Sequence, residues 1–563
     1  MNEFIARIIE LLYSGDVSVF LKSLLLGDKT EFYQNAALYV SMSRAGIMHI
    51  VAISGMHVTF IVSFIKLIFG NSKKSNIICL ILVWLFAFMT GASPSAIRAA
   101  IMLTSALLAP LFNRESDSLR SLIFAAVIIL IFDFQSIKNI SFQLSFAATA
   151  GIILFATPIY TRLISKLGFD KIRSYLFGVI SSSLSVMIFT IPITAYHFGS
   201  VQLLSPITNI LILWAVSICF IFGYISLFIG AFSPIIAKPF VFVVEILVKY
   251  IIFIAKQISR ISFSNLYLNN QYTIWWVLLI YIFFIGAYLL RKNYLYPALI
   301  SFTCLVCMLT AVKLSYSNLD GLFTAVNVGQ GQSIVAFSKD STIVVDCGNT
   351  GTINDAGEIT GQYLLSRGRK DIDLLVLTHL HRDHCDGVPI LLELLNIKRI
   401  ALPYNIEDED GEFEEIKKAA ENHGTEIIYI YGDTPIKYNN LSLFLMMPMD
   451  AGDSNEKCMM VLMTVNDRDI LITGDAGKSA ERELLRNYDI KNIDFLIVGH
   501  HGSKYSTSED LLENIGSHTA IISTGENGYG HPTYETLSLL NNFGYNIYRT
   551  DLNGNIEIRI NEQ

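Results

Sequence analysis

Four potential metal ligands lie within six residues of the chain: His379, His381, Asp383 and His384. They follow an apolar run at 374–378, which is typical of a buried strand, so they occupy the loop at its end. The two histidines at alternate positions suit one metal ion, and the Asp-His pair suits a second. Imidazole and carboxylate ligands together match zinc or manganese. An exposed polar turn is the alternative, but packing does not explain this density of ligands.

This spacing resembles the H-x-H-x-D-H motif of the metallo-β-lactamase fold, and two later segments resemble that fold's other landmarks. One is 470–475, an apolar strand that ends at Asp475, and the other is 495–503, a strand that ends at His500 and His501. The resemblance implies an α/β sandwich with αββα layers and two divalent metal ions bridged by Asp475. One of the two histidines would complete the second site; His500 is favoured and His501 stays open. Such a pair of ions supports phosphodiester hydrolysis.

Other positions of this resemblance bear on activity. The usual acids are replaced by Asn327 and Gln332, which removes two acceptor charges near the predicted metals. The third histidine of the first metal site has no clear counterpart, and Cys458 is either a ligand or, as we favour, a buried strand cysteine. His531 either contacts a phosphate, acts as general acid or is a plain turn residue. It joins Asp383 as a candidate catalytic residue.

The chain changes character near residue 314. Residues 1–313 hold 22 Lys+Arg against 10 Asp+Glu, whereas residues 314–563 hold 19 against 38. We therefore expect an amphipathic segment at 1–46, a membrane domain at 47–313 and a hydrolase domain at 314–563. The acidic excess excludes the hydrolase half as a nonspecific DNA binder by charge alone. The seven cysteines show no spacing that indicates a disulfide framework.

Hydrophobic runs predict a polytopic α-helical membrane domain, because about 20 apolar residues cross a bilayer. About ten spans are expected, near 47–69, 77–92, 95–112, 121–135, 140–160, 175–198, 206–231, 238–257, 274–290 and 294–312. Proline or glycine interrupts several of them. Broken helices at membrane depth are tolerated where they line protein or a water-filled cavity, which favours a conduit over a simple anchor.

Basic residues concentrate in alternate loops of this domain, which places those loops in the cytoplasm and the hydrolase half outside. The basic positions are Lys73, Lys74, Arg114, Arg120, Arg162, Lys166, Lys171, Arg173, Arg291 and Lys292. A smaller group, Lys249, Lys256 and Arg260, leans the other way. With an even number of spans, the same argument places residue 1 outside as well. The N-terminal segment is therefore expected either to re-enter the membrane or to descend from a longer ancestor.

Ionisable groups within spans are expensive and usually functional. His49 and His57 lie eight residues apart around Ile53, which would place them on one face of a single helix. Arg98 lies in a later span. Pairing within the helical bundle is the alternative reading of these groups.

The segments 46–58, 91–102, 141–149 and 192–211 resemble the signature blocks of the ComEC family of competence channels. The resemblance implies uptake of single-stranded DNA through a bacterial cell membrane, with the external hydrolase degrading the other strand. Its DNA-path residues would be His49, Ser54, Gly55, His57 and Arg98. A DNA receptor, a cytoplasmic DNA-translocating ATPase and further copies of the chain are the implied partners. The family's N-terminal span and OB-like domain are expected to be missing.

Two other functions stay open. One is a DNA channel whose hydrolase is catalytically weak, and the other is a membrane-anchored metallohydrolase of a different ester. The blocks at 46–58 and 91–102 argue against the second, since an anchor does not need them.

Overall fold

The computed structural model describes the chain in two compact units, Met1–Val277 and Leu278–Gln563. The description omits residues 1, 53, 92, 110–116, 168–169, 262, 271, 291–294, 318, 351–354, 405–410, 448–456 and 561–563. Ile53, Arg114, Arg291 and Lys292 of the sequence analysis therefore lie outside the described residues. The division between the units precedes the change in composition near 314, and the domain limits given above stay predictions.

The first unit is helical. Its described α-helices are α1 (Asn2–Leu12), α2 (Gly15–Leu21), α3 (Thr30–Gln34), α4 (Ala36–Arg44), α5 (Met48–Val51), α6 (Gly55–Phe69), α7 (Lys73–Met89), α8 (Pro94–Leu108), α9 (Ser118–Phe132), α10 (Ile140–Gly151), α11 (Thr157–Leu167), α12 (Lys171–Phe198), α13 (Ser205–Gly230) and α14 (Pro234–Ser259). Two short strands, β1 (Ser200–Gln202) and β2 (Asn265–Tyr267), pair antiparallel. Helix α15 (Thr273–Leu289) crosses the division between the units, and α16 (Leu295–Ser317) follows it.

The N-terminal segment is helical, as its amphipathic pattern predicts, and it belongs to the core of this unit. Phe20 and Leu24 are fully buried in a cluster that also contains residues of α6, α7, α8, α13 and α14. The Tyr13 hydroxyl lies 2.7 Å from the Ser226 hydroxyl of α13. The segment is therefore packed against the helices of the unit and is not a separate arm.

Four described helices are long and apolar enough to cross a membrane: Ile140–Lys166, Lys171–Phe198, Ser205–Gly230 and Tyr296–Ser317. Four shorter apolar helices accompany them: Gly55–Phe69, Pro94–Leu108, Ser118–Phe132 and Thr273–Ala287. A helix rises about 1.5 Å per residue, so these shorter ones fall below the thickness of the hydrocarbon core. The count of about ten spans stays a prediction, made from runs of about 20 apolar residues.

The segment that carries His49 and His57 is broken, so the prediction that both lie on one helical face is wrong. Helix α5 ends at Val51, and α6 begins only at Gly55. Ala52 is extended (ψ 125°), and Ser54 takes the N-cap position of α6 with φ −139°. A residue at an N-cap has non-helical dihedrals and so interrupts the periodicity.

Prolines of the first unit lie both at the start of helices and in the interior of a helix. Pro94 and Pro206 stand in the first turns of α8 and α13, where a missing N–H costs nothing. Pro192 lies inside α12, which continues to Phe198. This proline therefore does not end the helix.

The second unit is built on two seven-stranded sheets. The first has the order β10 (Glu426–Ile430), β9 (Arg399–Pro403), β7 (Leu374–Val376), β5 (Thr342–Thr350), β4 (Gln330–Ser338), β3 (Gly321–Ala325) and β18 (Ile556–Ile560). The second has the order β11 (Thr434–Tyr438), β12 (Leu441–Met446), β13 (Met460–Val465), β14 (Arg468–Ile472), β15 (Phe495–Ile497), β16 (Thr519–Ile522) and β17 (Asn546–Arg549). A small pair joins β6 (Asp371–Ile372) to β8 (Asn396–Ile397).

Helices cover the outer faces of both sheets. They are α17 (Ala356–Ser366), α19 (Val388–Leu394), α20 (Glu412–His423), α21 (Lys478–Asn487), α22 (Glu509–Ile515) and α23 (Tyr534–Asn542). The short helices α18 (Arg382–Cys385) and α24 (Thr550–Asn553) follow strands β7 and β17. One core, with Phe323 and Leu443, lies between the sheets. A second, with Tyr363, backs the first sheet, and a third, with Leu484, backs the second. These three cores confirm the predicted αββα layers.

The chemistry-bearing residues lie just past the ends of the strands that precede them. Strands β5 and β7 are parallel neighbours in the first sheet, and β14 and β15 are parallel neighbours in the second. His379 follows β7, Asp475 follows β14 and His500 follows β15. Carboxyl ends of parallel strands meet at one edge, which is how segments far apart in sequence are brought together.

Candidate metal centre

Two groups of potential metal ligands converge in the second unit. His379, His381 and Asp475 form the first group. The second group consists of Asp383, His384, Asp475 and His501. Within each group the ligand atoms lie within 4.8 Å of one another. Asp475 is common to both, which is the position expected of a bridging carboxylate.

The polar atoms that face this centre have few partners within the protein. Nε2 of His379, His384 and His501 and Oδ1 of Asp475 are buried, and none has a hydrogen-bond partner with acceptable geometry. Buried polar atoms are otherwise almost always hydrogen-bonded. His384 Nε2 lies 3.0 Å from Asp475 Oδ1, and His501 Nε2 lies 3.3 Å from Asp383 Oδ2. A compact set of unpartnered imidazole nitrogens and carboxylate oxygens fits a pair of divalent ions.

Asp346 belongs to neither ligand group, but its hydrogen bonds support the metal centre. It is fully buried, and its backbone has φ 59° at the position where strand β5 delivers it. Its carboxylate oxygens accept hydrogen bonds from the Thr378 backbone N–H (2.8 Å) and from the Gln332 amide (2.9 Å). His384 Nδ1 lies 2.8 Å from Oδ2 of the same carboxylate. That contact places the imidazole proton on Nδ1 and leaves Nε2 free to bind metal.

His379 is held in a similar way from its far side. Its Nδ1 lies 3.1 Å from the Thr378 hydroxyl and 3.0 Å from Cys458 Sγ, while its Nε2 lies 3.9 Å from Asp475 Oδ2. Cys458 is fully buried and belongs to neither ligand group. It contacts the nitrogen that faces away from the centre, which agrees with the buried cysteine that we favoured.

The geometry distinguishes His501 from His500. His501 is buried, and its Nδ1 lies 2.8 Å from the Ser523 carbonyl, so Nδ1 carries the proton and Nε2 is free. The His500 side chain is 27% exposed, and its Nε2 lies 3.7 Å from Asp475 Oδ2, outside both groups. Both residues have positive φ, 50° and 52°. The described geometry therefore favours His501 over His500, which the sequence analysis preferred.

Within the metal centre, neighbouring acidic and basic side chains stabilise the ionised forms of Asp475, His384 and Asp383. Burial alone would raise the pKa of Asp475, but the nearby His384 and His501 hold it well below its usual range. Burial likewise opposes protonation of His384, yet Asp475 and Asp346 raise the pKa of this imidazole well above its ordinary value. Burial also acts against ionisation of Asp383, but the close contact with His501 and the charges of His384 and His501 together outweigh burial and lower the pKa of this carboxyl.

Four of the predicted DNA-path residues of the first unit, Ser54, Gly55, His57 and Arg98, also come together. The Ser54 backbone N–H donates to His57 Nδ1 (3.1 Å). A β-carbon on Gly55 would lie 3.2 Å from Arg98 Nη2, so glycine leaves room for the guanidinium at the start of α6. His57 and Arg98 are buried, whereas the His49 side chain on α5 is exposed.

Two protein-family models match the chain. The model described as "Competence protein" matches residues 24–294, and the "Metallo-beta-lactamase superfamily" model matches residues 326–526. The chain joins a competence-protein domain to a metallo-beta-lactamase domain.

Two known proteins are similar to this chain along most of its length. ComE operon protein 3 of Bacillus subtilis is 26% identical over 97% of this chain and 71% of that protein. Competence protein ComA of Neisseria gonorrhoeae is 22% identical over 95% of this chain and 74% of that protein. Among solved structures, the metallo-beta-lactamase fold protein YhfI from Bacillus subtilis is 15% identical, with a TM-score of 0.31, over 42% of this chain and 100% of that protein.

Gln332 and Asn327, which replace the usual acids of the metallo-beta-lactamase pattern, make hydrogen bonds outside the two ligand groups. Gln332 donates to Asp346, where a second carboxylate would be repelled. Asn327 accepts from the Gly329 N–H (3.2 Å) and belongs to neither ligand group. The His531 ring centroid lies 5.6 Å from that of His500. Burial, together with His500 and His501, lowers the pKa of His531.

Sequence reasoning missed the role of Asp346 in the metallo-beta-lactamase domain. The sequence analysis did not assign this residue to the site. The signal was present, because an apolar run of residues ends at Asp346 as another ends at Asp475. The same holds for Thr378, whose hydroxyl contacts both Asp346 and His379.

Replacing Asp346 with asparagine should weaken metal binding about 10-fold to 100-fold, because a supporting carboxylate that orients a ligand histidine is lost. The amide group of Asn would also face the donors Thr378 and Gln332. Competitive metal titration of the full chain in detergent measures this, with unfolding followed in parallel. Asp373→Asn is the control, since Asp373 accepts from the Thr342 N–H at the start of β5. Equal metal affinity in Asp346→Asn and wild type would show that His384 needs no such support.

Proposed function

We propose that this chain takes DNA into the cell. The competence-protein domain would form the path for a single strand, and the metallo-beta-lactamase domain would degrade the strand that does not enter. The observation that carries the proposal is the buried His/Asp centre joined, in one chain, to a competence-protein domain. That family implies DNA handling at the membrane, and phosphodiesters are esters that a pair of metal ions hydrolyses well.

His379, His381 and Asp475 would hold one zinc or manganese ion, and Asp383, His384, His501 and Asp475 the other. Bound ions would activate water and neutralise the charge that develops on phosphate oxygens. Asp475 would serve both sites. Its low pKa keeps the shared carboxylate ionised at neutral pH.

Two further side chains have roles in this proposal. Asp383, held ionised by its contact with His501, would orient the attacking water through a carboxylate oxygen. His531 lies on the half-exposed side of the centre, next to His500. As a neutral imidazole it would hydrogen-bond a phosphate oxygen or the leaving group.

The membrane path is proposed to use Arg98. This buried guanidinium donates from Nη1 to the Ser145 carbonyl (3.1 Å), and its Nε has no partner. No carboxylate forms an ion pair with it in the part of the chain that the structure describes. It lies beside Gly55 in the first turn of α6, and the N-terminus of a helix favours an anion. His57 Nε2 is also buried and unpartnered. Such a cluster suits a passing phosphate.

Orientation and partners complete the proposal. The alternate basic loops favour an orientation with the metallo-beta-lactamase domain outside the cell membrane, where a DNA receptor would deliver DNA. A cytoplasmic ATPase would pull the strand, and further copies of the chain could surround the path. His49, exposed on α5, would line it before the break at Ser54.

Asp475→Asn should remove at least one metal ion per chain and lower the cleavage rate at least about 100-fold, the scale of losing one electrostatic stabiliser. His501→Ala should lose metal as well, whereas His500→Ala should keep it. Elemental analysis and cleavage of a labelled oligonucleotide by the full chain decide this. Asp494→Asn, a carboxylate that accepts from the Asp469 N–H, is the control. Wild-type protein that binds metal but cleaves nothing would favour a DNA channel with a weak hydrolase.

Arg98→Ala should abolish uptake of labelled DNA while leaving cleavage by the same protein unchanged, because the change removes a buried charge far along the chain from the metal ligands. Arg98→Lys retains the charge and tests for loss of fold. Arg120→Ala is the matched control, since Arg120 is 87% exposed and pairs only with its neighbour Asp117 among the ion pairs of the described residues. Normal uptake by Arg98→Ala cells would remove Arg98 from the path.

A reporter that is active only outside the cytoplasm should be active when fused after Gln563. The basic loops motivate this orientation. Fusions in the loop that contains Lys73 and Lys74 should give the opposite result and serve as the control. Activity of a cytoplasm-specific reporter at Gln563 would reverse the topology.

A further inference from the structure

The acidic character of the metallo-beta-lactamase domain poses a problem for DNA binding. Residues 314–563 hold 38 Asp+Glu against 19 Lys+Arg, so the domain as a whole repels a polyanion. Ordinary nonspecific binding relies on contacts between cations and phosphates. A strand held at this centre must therefore gain affinity from another source. Stacking of bases on aromatic side chains is one that needs no net positive charge.

The rings of His500, His531 and Tyr529 form a spatial series that leads from the metal centre toward the surface. His500 Nε2 lies 3.7 Å from Asp475 Oδ2. The ring centroids of His500 and His531 are 5.6 Å apart, and those of His531 and Tyr529 are 6.1 Å apart with an interplanar angle of 33°. Tyr529 is 73% exposed. The series therefore ends at the exposed ring of Tyr529, which His531 and His500 connect to the metal centre.

The loop that carries Tyr529 is held in place by Asn527. The Asn527 side-chain oxygen accepts from the backbone N–H groups of Tyr529 and His531, both at 3.1 Å. Its amide donates to the carbonyls of Gly525 (2.9 Å) and His531 (2.7 Å) and to Gln330 Oε1 (3.1 Å). An exposed aromatic ring on such a braced loop loses little conformational entropy when a flat ligand covers it.

We infer that Tyr529 is a stacking platform for an unpaired nucleobase of single-stranded DNA next to the cleaved phosphodiester. The inference rests on the proposed hydrolysis and names its substrate as a single strand. In a duplex both faces of each base are already stacked, so Tyr529 would select against it. Because stacking does not displace counterions, this part of the affinity should change little with salt.

The test uses the full chain in detergent and oligonucleotides with 2-aminopurine placed at successive positions. Stacking on Tyr529 should quench the probe at one position, in EDTA, where the strand is not cut. Tyr529→Ala should abolish this quenching and raise the KM for single-stranded cleavage about 5-fold to 150-fold, the equivalent of 1–3 kcal/mol per stacked base. Tyr529→Phe should retain both. Tyr534→Ala is the control, because Tyr534 is 82% exposed and lies outside the ring series.

The outcomes separate the two proposals. Normal cleavage with no Tyr529-dependent quenching and an unchanged KM in Tyr529→Ala would overturn the stacking platform and leave the hydrolase intact. Equal losses in Tyr529→Ala and Tyr534→Ala would overturn it too, since any exposed tyrosine would then serve. No cleavage by wild type, with quenching that depends on Tyr529, would reject hydrolysis and support the platform.

Discussion

A single buried carboxylate constrains the centre of the second unit. Asp346 has no exposed surface, and its acceptor atoms are matched by donors from Thr378, Gln332 and His384. Such a group is costly to bury unless every acceptor is satisfied. Because these donors satisfy all acceptors of Asp346, the carboxylate fixes the relative positions of strand β5, strand β7 and the loop after β7. The imidazole of His384 is oriented as a result, and the ligand geometry follows from that contact.

The centre also depends on both sheets at once. The first sheet supplies His379 and His384 through the loop after β7, and the second supplies Asp475 and His501 through the loops after β14 and β15. The apolar core between the sheets, with side chains such as Phe323, sets the distance between these contributions. Packing in the sandwich and geometry of the ligands are therefore two aspects of one structure, and a change in the core acts on both.

The sequence predicted what depends on local pattern. The H-x-H-x-D-H spacing and the strand-end Asp475 identify the ligand groups, and the family resemblance that they carry implied the αββα sandwich. The choice between His500 and His501 depends on backbone dihedrals near φ 50°, which adjacent identical residues do not reveal. The break before Gly55 was missed because the eight-residue spacing of His49 and His57 matches about two turns of a continuous helix. Asp346 was missed because its importance comes from contacts across strands.

The division of the centre between two sheets sets an order of events in biogenesis. His379 is synthesised well before His501, and a chain that ends between them offers only part of each ion's ligand set. Ions bind weakly to incomplete ligand sets, since affinity arises when a folded site presents all donors together. Loading would thus coincide with the closing of the sandwich. The compartment in which the last strands fold, with its own supply of zinc and manganese, would then decide which ion the protein carries.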